Sequence, residues 1–131
     1  MRPKILVIED NEQNLYLTTF ILEKRGYEVI QASEGSEGIR LASQTTPDLI
    51  LLDIQLPGMD GYEVAHALRN NLALEGVPIV AVTSYAMVGD RERALAAGCS
   101  GYVEKPINPE TFAAEIAMSL RASTSGERGS P

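Results

Sequence analysis

A small set of polar residues in this chain stands directly after short apolar runs. Glu9 and Asp10 follow KILVI, Asp53 closes LILLD, Thr83 and Ser84 end PIVAVTS, and Lys105 follows GYVE. A carboxylate that closes an apolar run, as Asp53 does, needs partners if the run is buried. Three carboxylates brought together raise one another's pKa, and the cluster is costly unless a cation sits in it. With one cysteine, Cys99, and one histidine, His66, the chain offers no soft-ligand cluster for zinc or iron–sulfur. A metal here must be held by oxygen, and Mg2+ is the natural ion. It takes one or two carboxylates, keeps several waters and leaves positions for phosphate oxygens. A phosphoryl group at such a site meets Mg2+, the Lys105 ammonium and the Thr83 hydroxyl, the parts needed to neutralise its three oxygens.

These residues converge only if the runs before them are strands of one parallel sheet, because ligands bind beyond the C-terminal strand ends of such a sheet. The pattern supports that. Apolar runs at 4–8, 27–32, 49–53, 78–83 and 101–104 alternate with segments of helical period. The first, third and fourth runs are nearly continuous in Val, Ile and Leu, as central strands are, whereas Tyr27 to Ala32 alternates with polar residues, as at an edge. Helices are predicted from Asn11 or Glu12 to Arg25, with Leu15, Thr19 and Leu22 inward, and from Ser36 to Ser43. A third is predicted from about Tyr62 to Arg69, with Val64, Ala67 and Leu68 as its stripe, and a fourth from Asp90 to Ala97. The last starts with Asn108 as N-cap and Pro109 at the first position, and buries Phe112, Ile116 and Leu120.

At 131 residues and 44% apolar composition the chain is one domain with a real core. The domain is predicted over 1–121, with a disordered polar tail over 122–131 that cannot bury anything. The net charge of −7 and a pI near 4.7 oppose binding to nucleic acid. No membrane span and no signal-peptide pattern is found, so a cytoplasmic protein is expected.

The motifs VIEDN (7–11), PDLILLDIQLPGMDG (47–61), VTSYA (82–86) and GYVEKPI (101–107) together resemble the receiver domain of two-component response regulators, over Lys4 to about Leu120. The resemblance implies an α/β, flavodoxin-like fold, a five-stranded parallel sheet of order 2-1-3-4-5 flanked by five helices. It implies that Asp53 is the phosphoacceptor, taking a phosphoryl group from a histidine kinase or histidine phosphotransfer protein. Asp10, Asp53 and the backbone carbonyl of Gln55 would ligate Mg2+, with Glu9 acting through water. Lys105 would pair with the phosphoryl group, with a cis peptide to Pro106. Thr83 and Tyr102 would form the switch, and Ser84, Tyr85 and Gln55 would control access, Tyr85 by shielding the acyl phosphate from water. The acidic pair is Glu-Asp where many relatives have Asp-Asp, which leaves the more direct ligand in place. With only a short polar tail, output is expected through protein contacts of the fourth helix, fifth strand and fifth helix, from about Asp90 to Leu120. The implied role is that of a signalling protein and not an enzyme in its own right.

Three other readings share parts of this pattern. A flavodoxin-like electron carrier would need a Ser/Thr/Gly-rich phosphate loop after the first strand, where this chain has Glu9-Asp10-Asn11-Glu12. A Mg2+-dependent phosphatase with an aspartate nucleophile would carry a second aspartate two positions later, where this chain has Gln55. A receiver excised from a hybrid kinase would look much the same. His66 is expected at the surface, and Cys99 as a small buried residue.

Overall fold

The computed structural model describes residues 2–56, 60–83, 89–105 and 108–123. Strands and helices alternate throughout: β1 (Lys4–Ile8), α1 (Glu12–Lys24), β2 (Glu28–Ala32), α2 (Gly35–Thr45), β3 (Leu49–Asp53), α3 (Gly61–Arg69), β4 (Ile79–Thr83), α4 (Asp90–Ala96), β5 (Gly101–Glu104) and α5 (Pro109–Ser123). The five strands pair in parallel in the order β2-β1-β3-β4-β5. β3 and β4 are buried at every position, while β2 lies at an edge and buries Ala32 alone. The expected flavodoxin-like architecture is therefore the observed one.

Strand alternation divides the core in two. Leu6, Ile8, Ile50, Leu52, Ile79 and Ala81 point to one side of the sheet and pack with Val64 and Leu68 of α3 and Ala94 of α4. Ile5, Val7, Leu49, Leu51, Val80 and Val82 point to the other and pack with Ile21 and Leu22 of α1 and Phe112 and Ile116 of α5. At roughly 2 kcal/mol for each large side chain removed from water, these two layers supply most of the drive to fold. Parity then decides on which side each rim residue emerges.

Local chemistry sets the helix starts. The Asn11 side chain accepts from the Asn14 N–H and opens α1 at 2.9 Å. Asp60 and Glu63 form a capping box at α3, and Asn108 accepts from the N–H groups of Glu110 and Thr111 at α5. The sequence reading of two helix faces is corrected. In α1 the buried residues are Thr18, Ile21 and Leu22, so the inward stripe is centred on Thr18 and Leu22, and Thr19 is only half-buried. In α3 they are Gly61, Val64, Ala65 and Leu68, with Ala67 at the margin. Both helices face a neighbouring helix as well as the sheet, and that second contact turns the stripe. α2 runs a little beyond Ser43 to Thr45, and α5 runs two residues beyond Arg121 to Ser123. A short 3-10 turn over Leu72–Leu74, capped by Asn71, has no counterpart in the sequence reading. The tail over 124–131 lies outside the described residues.

Arg69, at the end of α3, ties the α3–β4 connection to the α4–β5 connection. Its Nε donates to the Gly98 carbonyl at 3.1 Å, and its terminal nitrogens donate to the Leu74 and Val77 carbonyls at 3.2 and 2.9 Å. The Gly98 backbone, at φ 106°, is in a conformation that favours glycine. Replacing Arg69 by Met removes its donors from three carbonyls, of which Leu74 keeps the Val77 N–H at 3.0 Å, and hydrogen bonds to a charged group are worth about 1.5–3 kcal/mol each before compensation by water. We expect Arg69→Met to lower unfolding free energy by about 3 kcal/mol in urea titrations. Arg69→Lys should recover little, because a point charge cannot reach three separated acceptors.

Candidate functional site

The strand register brings the rim residues together. Ile8 pairs with Leu52, so the next step sets Glu9 beside Asp53. Asp53 pairs with Val82, and Thr83 pairs with Glu104, which places Lys105 one residue beyond the ladder. Glu9, Asp53 and Lys105 continue the parity of the α1/α5 side of the sheet, and their side chains meet there. The Lys105 Nζ lies 3.0 Å from Glu9 Oε1 and 3.4 Å from Asp53 Oδ2. The remaining oxygens take backbone donors: the Asn11 N–H reaches Glu9 Oε2 at 3.2 Å, and the Gln55 N–H reaches Asp53 Oδ1 at 2.8 Å. Glu9 is 5% exposed and Asp53 4% exposed, so both carboxylates are almost out of water.

Asp10 completes the acidic cluster. One oxygen each of Glu9, Asp10 and Asp53 lies within 4.8 Å of the others, and Asp10 alone is open to solvent. That donor set is all hard oxygen and suits Mg2+ or a similar ion. Below the carboxylates lies a small cavity of about 10 Å³, lined in part by Thr18, Val82 and Phe112. The loop after β3 is anchored by Gly61, whose N–H donates to the Ile54 carbonyl at 3.1 Å. A Cβ there would stand 2.6 Å from the same oxygen, so only glycine permits the approach. In the sequence Gly61 closes the motif over 47–61, which does not show this close contact.

Thr83 and Tyr102 belong to the opposite side of the sheet. Thr83 is 2% exposed and continues the parity of Ile79 and Ala81, while Tyr102 pairs with Ala81 and packs against the α3/α4 layer. The Tyr102 ring already stands inward, with its hydroxyl buried and without a hydrogen-bond partner among the described residues. Burial, then the nearby Asp90 and Glu104 carboxylates, hold that phenol above the usual tyrosine range. Asp90 also accepts from the Tyr62 hydroxyl at 3.5 Å, and the Arg93 guanidinium covers the Tyr62 ring at 4.2 Å, so α3 clasps the start of α4. Sequence reasoning missed this clasp, since nothing in the spacing joins residues 28 apart. His66 is exposed and Cys99 buried, as expected, with burial pushing the Cys99 thiol up to about 11. Ser84, Tyr85 and Pro106, and with them two of the three access residues and the cis peptide, lie outside the described residues.

Residues 5–117 match the response regulator receiver domain family. The chain is a response regulator receiver domain. It is 43% identical over 112 residues to the polar-differentiation response regulator DivK of Brucella ovis, covering 86% of this chain and 91% of that protein. Chemotaxis protein CheY4 of Vibrio cholerae has a similar structure, with a TM-score of 0.87 at 28% identity over 91% of this chain and 99% of that one. So does the receiver domain of a Pseudomonas aeruginosa sensor histidine kinase with a magnesium ion coordinated in its active-site cleft. There the TM-score is 0.85 at 32% identity, over 92% and 99% of the two chains. Among the described residues of this receiver domain, no helix is long and apolar enough to cross a membrane.

The electrostatics of the receiver site follow from its burial. Desolvation, then hydrogen bonding to and repulsion by Asp53, push the Glu9 carboxyl up to about 7 against the pull of Lys105. For Lys105, burial works against the charged form, but the hydrogen bond it donates to Glu9 and the attraction of both carboxylates outweigh it and raise its pKa. Glu9 therefore binds its proton more tightly in the folded than in the unfolded chain. Its contribution to stability is full below the ordinary carboxylate value of 4.5 and is lost as pH rises through about 7. Thermal melts of metal-free protein between about pH 5 and pH 8 should show this as a fall in midpoint that is shallower in Glu9→Gln. Identical slopes in the two proteins would show that Glu9 titrates normally.

Proposed function

We propose that this receiver domain accepts a phosphoryl group on Asp53 from a phosphohistidine of a histidine kinase or histidine phosphotransfer protein, with Mg2+ as cofactor. The observation that carries the reading is the Lys105 ammonium seated between two nearly buried carboxylates, Glu9 and Asp53, at one strand-end rim. Asp53 attacks phosphorus through a carboxylate oxygen. The new O–P bond replaces the P–N bond, and the departing imidazole takes up a proton. Lys105 is placed to follow the charge from the carboxylate to the phosphoryl oxygens. Asp10, Asp53 and the Gln55 carbonyl would hold Mg2+, with Glu9 joining through water; the bound ion offsets the negative charge of carboxylates and phosphoryl group together.

A protein donor must stand over the rim, beside the start of α1. There the helix leaves Tyr16, Leu17 and Phe20 exposed, with the two rings stacked at 6.4 Å between centroids, an apolar patch suited to a partner helix. Thr83 and Tyr102 act as the readout. Their shared side of the sheet leads from the rim to α4, and so to the output face of α4, β5 and α5. Tyr85 is the candidate shield over the acyl phosphate. In cellular terms the protein is a cytoplasmic two-component signalling element with a protein target.

Incubation with Mg2+ and acetyl phosphate should add one phosphoryl group to the intact mass, and Asp53→Asn should abolish the gain. Mg2+ should raise the thermal midpoint of the wild type, and Asp10→Ala should remove most of that rise, because the ion binds only the folded site. A mass gain that survives in Asp53→Asn would remove Asp53 from the role.

A second expected outcome separates chemistry from readout. Thr83→Ala should still take up the phosphoryl group, since Lys105 and the metal carry most of the charge stabilisation. The amide shifts of Tyr102 and α4 that accompany phosphorylation in the wild type should shrink by about half or more in the variant. Equal movement in both proteins would refute the switch role of Thr83.

A further inference from the structure

Thr18 is the polar residue that α1 buries, 4% exposed and turned toward the sheet beneath Glu9 and Asp53. A threonine inside a helix commonly returns its hydroxyl to the carbonyl one turn back, as Thr45 does to Leu41 at 2.7 Å. Thr18 does not. Among the described residues its side chain takes no hydrogen bond. Its oxygen is not sealed either, since the one fully enclosed and unpartnered side-chain atom among the described residues is the Tyr102 hydroxyl. The open space beside a residue so deeply buried is the cavity that it lines.

That cavity measures about 10 Å³, enough for a single water molecule and for nothing larger. Leu51, Val82 and Phe112 give it apolar walls, and its polar walls are Thr18, Glu9 and Asp53. In so small a space each of the three stands within reach of one molecule placed there. A buried water makes about three hydrogen bonds, and this site offers them in the right kinds. The threonine O–H donates to the water oxygen, and the two water protons go to the two carboxylates. Both carboxylates have unused capacity. Glu9 accepts from the Lys105 ammonium and the Asn11 N–H, and Asp53 from the same ammonium and the Gln55 N–H, whereas an ionised carboxylate offers about four acceptor positions.

We propose that this cavity is a one-water site and that Thr18, through the water, is a positioning residue for Asp53. Lys105 and the Gln55 N–H reach Asp53 from the rim, whereas the cavity lies on the core side of the carboxylate. The water closes the side that they leave open, and keeps Asp53 from leaning into the cavity and away from an incoming phosphorus atom. The same molecule holds Glu9, so the pair keeps its spacing around the Lys105 ammonium. No proton moves in this arrangement, and Thr18 acts by geometry alone. The inference rests on the reading of Asp53 as phosphoacceptor and adds a residue from α1 to the groups that hold it.

Crystals of the full-length protein and of its Thr18→Val and Thr18→Ser variants, diffracting well enough to show ordered water, test the site directly. The wild type and Thr18→Ser should show one water peak about 3 Å from the hydroxyl and from both carboxylates, and Thr18→Val should show none. Initial rates of phosphoryl uptake, read by intact mass with Mg2+ and a fixed concentration of acetyl phosphate, give the second readout. They should fall about fivefold in Thr18→Val, the size of one ordinary hydrogen bond lost, and recover to within about twofold of wild type in Thr18→Ser. Circular dichroism and melting show that each variant folds, and the wild-type density alone can refute the site. A dry cavity in the wild type, a water that stays in Thr18→Val, or an unchanged or faster uptake in that variant would each overturn the proposal. A wild type that takes up no phosphoryl group would instead overturn the Asp53 reading, and with it the positioning role, while the water peak still decides the site.

Discussion

Two carboxylates that are almost fully buried, Glu9 and Asp53, share a single ammonium from Lys105. Without that cation the rim would hold two like charges in a low-dielectric setting, and one would have to stay protonated. With it, Lys105 pulls against the burial and the Asp53 charge that push the Glu9 carboxyl up to about 7, and Asp53 keeps one oxygen on Lys105 and the other on the Gln55 N–H. Everything that places the three residues serves this contact. Register aligns β1 with β3, β4 carries β5, and the Gly61 approach closes the loop behind Asp53.

The sheet separates two groups of residues by parity. Glu9, Asp53 and Lys105 emerge on the side of α1 and α5, where charge is gathered. Thr83 and Tyr102 emerge on the side of α3 and α4, where the Tyr62, Asp90 and Arg93 clasp holds the first turn of α4. On that side the buried Tyr102 hydroxyl has no hydrogen-bond partner among the described residues, an arrangement that costs free energy.

Much of this was legible in the sequence for plain physical reasons. Strands buried on both faces leave an unbroken run of Val, Ile and Leu, and β1 and β3 begin and end where those runs do. Helix caps are local, so Asn108 before Pro109 announced α5. Polar residues at the ends of apolar runs identified the rim, because in a parallel sheet all such ends lie on one side. The family motifs then supplied the strand order, which composition and period do not contain.

What the sequence left open depends on contacts between segments far apart in the chain. The inward stripes of α1 and α3 were displaced because each helix packs on a second helix as well as on the sheet, and a one-dimensional period cannot show where that neighbour stands. The clasp of Tyr62 on Asp90 and the reach of Arg69 to the Gly98 carbonyl each join elements that only the register and the crossovers bring side by side. The sequence by itself determined which residue types would stand at the rim, since those types sit at strand ends by local pattern. Only the tertiary structure decided which of them touch, because distances of 3.0 and 3.4 Å from one ammonium to two carboxylates follow from strand register and parity, and from no spacing along the chain.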